Sequence, residues 1–308
     1  MGHNDGMKFW CVTAFMKSTE LVPIARMVDE AGYHGMLLSD HIFYPQDLNS
    51  PYPYSPYEDG RPIWDPETSW PDSWVTIGAM IGATERLHFS NNVFIAPNRP
   101  ILSVAKQVST AAVISGNRVA LGMAAGWMRE EFEQMGQDFD NRGPRTNEMI
   151  EALRELWKPG WVEFHGEYYD IPAMMMGPAP DEPIPIYTGG HSTPALRRAA
   201  RHADGWIGNA YDWDTLADIL GRLRAMLAEE GRADEPFEII TGFYEPPSLD
   251  LYQRAAEELG VTGLFALPWA TLLEVSTDQR GGLLENADAY RDAINRFADD
   301  IVHPLAGG

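Results

Sequence analysis

The stretch LLSDHIFYP, residues 37–45, reads as a short apolar strand that delivers Ser39, Asp40 and His41 into a loop. The segment after it, as far as about residue 72, is too rich in proline for helix or central strand. Before it, residues 18–31 have helical period and stop at Gly32, a residue suited to a left-handed helix terminus. This alternation runs from end to end. Strand signals fall near 7–12, 35–39, 87–94, 118–123, 184–187, 205–207, 237–242 and 263–266. Helical signals fall near 18–31, 73–83, 102–115, 145–158, 193–202, 213–230, 249–259 and 286–299, and Gly116 marks a second left-handed terminus. Eight such units in a chain of 308 residues predict an α/β fold, a (β/α)8 TIM barrel with insertions, rather than a doubly wound sheet.

Three insertions interrupt the pattern, near 43–72, 129–144 and 160–183. The first two leave carboxyl ends of strands, the face on which barrel active sites are built. The third contains VEFHGEYYDI (162–171), which reads as a hairpin turning at Gly166. With no internal repeat or low-complexity linker, residues 1–308 are expected to form one domain.

Composition narrows the function classes. A 44% hydrophobic content supports a sizeable core, and 45 acidic against 23 basic residues give a formal charge of −22. That charge repels phosphate backbones and anionic lipid, so neither nucleic acid nor membrane is an expected partner. No run approaches the roughly 20 apolar residues of a membrane span. The opening MGHNDGMKFW has no basic region followed by an apolar stretch, so no secretory signal is expected. Cys11 is the one cysteine, which fits a reducing cytoplasm and a buried packing role, and no Cys/His array suggests a metal site.

Four stretches carry candidate chemistry. His41 stands at a carboxyl strand end before a long insertion, where an imidazole either moves a proton or merely ties the loop to the barrel. In YTGGHSTPALRRAARHADGW (187–206), Gly189 and Gly190 leave a strand, and Ser192 and Thr193 open a helix: an anion site, or a plain cap. In LGMAAGWMREEF (121–132), small residues leave room for a flat ligand that Trp127 could cover. Glu130, Glu131 and Glu133 in that stretch read as a solvated helix-starting face. In FSNNVFIAP (89–97), Asn91 and Asn92 either hydrogen-bond a planar heterocycle or stabilise a bulge. The aromatic residues of the first insertion make an apolar lid or a dimer contact, which Trp64, Trp70 and Trp74 do not distinguish. His34 and His88 read as ordinary junction and strand residues. No Ser-His-Asp order, paired catalytic carboxylates or H-E-x-x-H is present.

Together LLSDHIFYP, SPYPYSPYEDGRPIWDPETSWPDSWVTIGAMIGATERL, NNVFIAPNRPILSVAKQVSTAAVISGNRVALGMAAGWMREEF, RGPRTNEMIEALRELW and PIYTGGHSTPALRRAARHADGWIG resemble the bacterial luciferase-like superfamily, most closely its coenzyme F420-dependent oxidoreductases. The resemblance spans roughly 7–210, about two-thirds of the chain. It implies a role for His41 beside the reactive ring in proton transfer. It places Asn92 and Val93 on a strand bulge with a cis peptide that backs the ring. Ala125, Gly126 and Trp127 fall on the loop lining the cofactor, and Gly189, Gly190, Ser192 and Thr193 on its phosphate site.

Two departures matter. FMN-using luciferases supply a phosphate-binding arginine where this chain has Ala125. The deazaflavin-dependent sugar-phosphate dehydrogenase has a catalytic glutamate where this chain has Trp127, so a more apolar organic substrate is expected. The resemblance thus implies hydride transfer with coenzyme F420. An FMN-dependent monooxygenase and a flavin-binding barrel without turnover are the alternatives, and a homodimer is expected from the resemblance alone.

Overall fold

The computed structural model describes residues 6–269 and 287–306. Strands β1 (Lys8–Val12), β2 (Gly35–Leu38), β3 (His88–Asn91) and β4 (Leu121–Met123) come first. An antiparallel pair, β5 (Trp161–His165) and β6 (Asp170–Met175), follows, and then β7 (Ile186–Gly189), β8 (Gly205–Tyr211), β9 (Glu238–Phe243) and β10 (Gly263–Ala266). All but the antiparallel pair form one parallel sheet in the order β3-β2-β1-β10-β9-β8-β7-β4. Its two edges meet. Phe89 N donates to Arg118 O and Ala120 N to Phe89 O, while Phe94 N donates to Gly122 O and Ala124 N to Phe94 O. The sheet is therefore a closed barrel, which leaves no exposed edge among these strands.

Helices α1 (Leu21–Glu30), α2 (Ser73–Ile81), α3 (Ile101–Ser115), α4 (Arg129–Gln134), α5 (Arg142–Leu156), α6 (Thr193–His202), α7 (Trp213–Glu229) and α8 (Leu249–Leu259) lie between the strands in sequence, and α9 (Ala287–Phe297) follows β10. Their ends follow local chemistry. Asp72, Asp212 and Ser248 accept the amides of Val75, Thr215 and Leu251 at the starts of α2, α7 and α8. Gly116 and Gly260 close α3 and α8 at φ +65° and +56°, where a side chain is disfavoured.

Alternation along each strand separates two cores. Trp10, Leu37, Ala120, Tyr187, Ile207 and Ile240 fill the barrel interior, whereas Phe9, Cys11, Met36 and Leu38 join the larger outer core. The third insertion is the predicted hairpin: β5 pairs antiparallel with β6, and Glu148 of α5 accepts the amides of Glu167, Tyr168 and Tyr169 in the turn. The third strand ends at Asn91, not near residue 94 as the apolar run suggested, because the backbone bulges at Asn92–Val93 before rejoining β4. Among the described residues no helix is long and apolar enough to cross a membrane.

At the amino end of the barrel the His34 and His88 rings stack with centroids 4.6 Å apart, and Trp10 meets His34 edge-on. Burial, then the neighbouring His88 and Lys8, push the His34 pKa down to about 3. An unfolded histidine titrates near 6.5, so between these values the unfolded chain binds a proton that the native chain refuses. Stability is thus expected to fall as pH drops below about 6.5. His34→Phe, which retains a ring without titrating, should flatten that loss between about pH 6.5 and pH 4 in urea unfolding. The same slope in both proteins would remove His34 from the account.

Candidate active site

The site begins with a buried carboxylate. Asp40, two residues past β2 and 4% exposed, accepts both Arg99 guanidinium nitrogens at 2.8 Å and the Ile95 amide at 3.0 Å. Arg99 also lies over the Phe94 ring, 4.2 Å from its centroid. Burial pushes the Asp40 carboxyl upward, and the charge and hydrogen bonds of Arg99, with the Ile95 amide, oppose it. Mechanically, this pair ties the end of β2 to the segment that leaves β3.

That segment contains the bulge. The Asn92–Val93 peptide is cis. Asn92 N donates to Leu38 O at 2.9 Å, and its side-chain amide donates to Gly208 O on β8 at 3.2 Å. Asn91 behaves differently from its neighbour. It is fully buried, shares its register position with the outward-facing Leu38, and its amide atoms have no partner among the described residues. Paired residues of a parallel sheet share a face, so Asn91 is directed away from the barrel interior and only Asn92 of the two is brought to the mouth.

His41 follows directly. Its Nδ1 lies 3.1 Å from Glu131 Oε1, and the same oxygen accepts the Ile42 amide at 2.8 Å. The two side chains are 9% and 2% exposed. Around the imidazole stand Trp64, Trp70 and Trp127, with centroids at 4.9, 5.0 and 5.8 Å. Tyr52 packs edge-on against Trp64 and Trp127. Phe15, in the loop after β1, completes the shell against Trp70 and holds φ +67°, an unusual conformation for an aromatic residue. His41 Nε2 has no hydrogen-bond partner among the described residues.

Glu131 corrects the reading of 130–133 as a solvated face. It is 1% exposed because α4 is a single short helix drawn inward by the fully buried Phe132. Glu130 holds the lid instead, accepting the amides of Asn49 at 2.8 Å and Ser50 at 3.1 Å, while Arg129 N donates to Ser50 Oγ. The far side of the lid reaches across the mouth, where the Tyr54 ring meets His191 edge-on and His191 Nδ1 lies 3.3 Å from the Tyr211 hydroxyl. Trp74 is not part of the shell; it is buried on α2 with its ring against Phe94.

The loop after β4 sets Ala125, Gly126 and Trp127 at this mouth, each half-buried. Gly126 has φ +85°, and a Cβ there would stand 2.7 Å from Ile95 Cγ2. Gly189 at the end of β7 lacks a side chain because Val93 fills that space: a Cβ would stand 2.7 Å from Val93 Cγ1. Beyond it, Gly190 has φ +98° and Ser192, at the start of α6, makes no side-chain capping bond. Arg222 of α7 reaches this helix start, donating to Thr193 Oγ1 at 3.2 Å and His191 O at 3.4 Å. Burial, then the Arg222 charge, lower the His191 pKa.

Arg99, Phe15 and Arg222 carry no local signature, and Glu131 carries that of a solvated helix start; each acquires its place through tertiary contact. Cavities of about 440 Å³ lie elsewhere, one beside Leu102, Lys106 and Met176 and one at the amino end around His34 and Tyr187. The chemistry nevertheless gathers at His41. No group of three or more His, Cys, Asp or Glu side chains among the described residues is arranged to hold a metal ion.

The closed barrel, with an acid-bound histidine, a bulge and an aromatic lid at its carboxyl mouth, is the architecture of a (β/α)8 enzyme. The sequence profile described as luciferase-like monooxygenase matches residues 7–263, so the chain belongs to that family. It is 39% identical over 271 residues to an uncharacterised protein of Mycobacterium tuberculosis, covering 85% of this chain and 91% of that one. It is 32% identical over 165 residues to an FMNH2-dependent dimethylsulfone monooxygenase of Pseudomonas putida, covering 52% of this chain and 45% of that one. The fold also matches the structure of an F420-dependent secondary alcohol dehydrogenase in complex with an F420–acetone adduct. There the TM-score is 0.68 at 16% identity, over 98% of this chain and 99% of the other.

Arg99→Met leaves the Asp40 carboxylate buried without its cation. Breaking such a pair costs about 3–5 kcal/mol, and chemical denaturation should register a loss of that order. A variant as stable as the parent would show that the Ile95 amide alone suffices for Asp40.

Proposed function

We propose that this chain is an oxidoreductase that uses coenzyme F420 for hydride transfer to or from an apolar organic substrate held beneath the lid. The observation that carries this reading is His41, its Nδ1 against Glu131 and its Nε2 without a partner among the described residues, at a strand end adjoining the Asn92–Val93 bulge. The residues present fit such a cofactor. Asn92 and Val93 would back the ring, with Ala125, Gly126 and Trp127 along its edge. Gly190, the uncapped Ser192, Thr193 and Arg222 form a donor set suited to a phosphate, with amides at the start of α6 and one guanidinium. Gly189 contributes by admitting Val93.

A bound deazaflavin supplies a two-electron hydride donor or acceptor, which no protein side chain can provide. The chain supplies the rest. As the substrate gains or loses hydride, His41 gives or takes the accompanying proton at Nε2, so charge balances in either direction. Trp64, Trp70, Trp127 and Tyr52 hold an apolar substrate and keep water from the imidazole. The F420-dependent dehydrogenase of matching fold supports this reading, and Ala125, in place of the phosphate-binding arginine implied for FMN users, agrees with it.

The 32% identical FMNH2-dependent monooxygenase supports a second reading, in which a bound reduced flavin would supply oxygen chemistry and the aromatic residues of the same lid would keep water from the site. Oxygen consumption separates the two: one oxygen per reduced cofactor belongs to the monooxygenase, none to hydride transfer.

Titration of the purified protein with coenzyme F420 and with FMN, followed by fluorescence quenching, is expected to show selective binding of the deazaflavin. Arg222→Ala should weaken that binding about tenfold or more, from the loss of a charged hydrogen bond. His41→Ala should bind F420 as the parent does and lose on the order of 10²-fold in turnover once a substrate is found. Preference for FMN would put the monooxygenase first, and full turnover by His41→Ala would remove the proposed proton transfer.

A further inference from the structure

The hydrogen bonding around His41 carries a further assignment, which deepens the proposed function and rests on it for its chemical purpose. We infer that Glu131 is a positioning residue that fixes His41 as the Nδ1–H tautomer and, through the first turn of α4, couples that state to the seating of the lid.

An ionised carboxylate only accepts hydrogen bonds. Glu131 Oε1 receives the Ile42 amide at 2.8 Å, so the oxygen is held in place by backbone before the imidazole is considered. Nδ1 at 3.1 Å from that oxygen must then carry the proton, because two acceptors would otherwise face each other. In the neutral ring this leaves Nε2 as the bare nitrogen, the atom that has no partner among the described residues. The dry surroundings strengthen the preference: with Glu131 2% and His41 9% exposed at the side chain, water does not compete for the bond.

The coupling follows from adjacency. Ile42 is the residue through which the chain enters the lid insertion, and Glu131 holds its amide. One residue earlier, Glu130 accepts the amides of Asn49 and Ser50, and Arg129 N donates to Ser50 Oγ. Three consecutive residues of one helix turn therefore clamp the entrance of the lid in two places, and one of them orients the histidine. The lid carries Trp64 and Trp70, which enclose that imidazole. Proton-transfer geometry and water exclusion are set by the same turn of helix.

The test needs neither cofactor nor substrate. In ¹⁵N-labelled protein, long-range ¹H–¹⁵N correlation spectra distinguish the two neutral tautomers, and the His41 signals are identified by their loss in His41→Gln. The parent is expected to show Nδ1–H with bare Nε2. Glu131→Gln should keep that pattern, since its amide oxygen still serves Ile42 and Nδ1. Glu131→Met, of similar size but with no acceptor, should lose it and move toward the Nε2–H form that free imidazole side chains favour. An Nε2–H pattern in the parent, or an unchanged pattern in a folded Glu131→Met, overturns the assignment. The parent spectrum decides even if Glu131→Met does not fold. A parallel F420 titration of the parent and Glu131→Gln keeps the issues apart: failure to bind tells against the proposed cofactor, while the tautomer result stands or falls independently.

Discussion

The Asp40–Arg99 pair is the constraint on which the carboxyl mouth depends. A carboxylate that is 4% exposed can remain ionised in a protein interior only with a cation and oriented donors around it, and Asp40 has two guanidinium nitrogens and the Ile95 amide. Those partners are specific in place as well as in charge. Ile95 and Arg99 lie on the segment that leaves β3, so satisfying Asp40 brings the bulged end of β3 against the end of β2. The neighbouring His41 and the Asn92–Val93 bulge are set beside each other by a bond that belongs to neither. A purely apolar contact could bury as much surface but would not specify which residue of the bulge meets which residue of β2.

The site is assembled from segments far apart in sequence. His41 receives its carboxylate from α4, its aromatic neighbours from the lid, and the packing partner of Trp70 from Phe15 in the loop after β1. Each piece excludes water for another. The tryptophans cover the His41–Glu131 bond, and the amides of Asn49 and Ser50, bound to Glu130, hold the segment that carries those tryptophans. The left-handed Phe15 is explained in the same way, since its backbone conformation is offset by ring contacts with Trp64 and Trp70 of the lid.

Strands and helices were largely legible because their signals are local: alternation along a strand, an Asp or Ser at a helix start, a glycine at its end. The hairpin at Gly166 was legible for that reason too. The errors arose where a local signal had two physical meanings. Asn91 and Asn92 read alike as amides, but Asn91 shares the register of outward-facing Leu38, whereas Asn92 lies in the bulge and its side chain reaches Gly208 O on β8. Acidic residues in a first helical turn ordinarily face solvent beside the helix dipole, and Glu130 and Glu131 have that signature. Glu131 is instead buried beside Phe132 against His41 and the Ile42 amide, partners that lie outside the helix. The space that Gly189 leaves open is filled by Val93 from the bulge after β3, far from it in sequence.

The same distinction governs what the loops say about a cofactor. An arginine missing at position 125 removes a cation from one loop, but an anion responds to charge in space and not to its address in the chain. Arg222 reaches the start of α6 from α7, and Arg142 reaches the carbonyl of Gly126 from α5, so two guanidiniums border the loops that sequence comparison read as lacking one. The two differ in freedom. Arg142 spends its Nε on Gly126 and an Nη on the Phe139 carbonyl, which turns it toward holding the loop after β4 in shape. Arg222 spends one nitrogen on a hydroxyl and a carbonyl at the helix start and is 38% exposed at its side chain, with Asp218 at 3.7 Å on another nitrogen. A hydroxyl is a partner that a guanidinium exchanges readily for an anion, because a charged acceptor makes the stronger bond. If the proposed cofactor is bound, the guanidinium best placed for its phosphate is therefore Arg222, on a helix outside every motif that first pointed to the site.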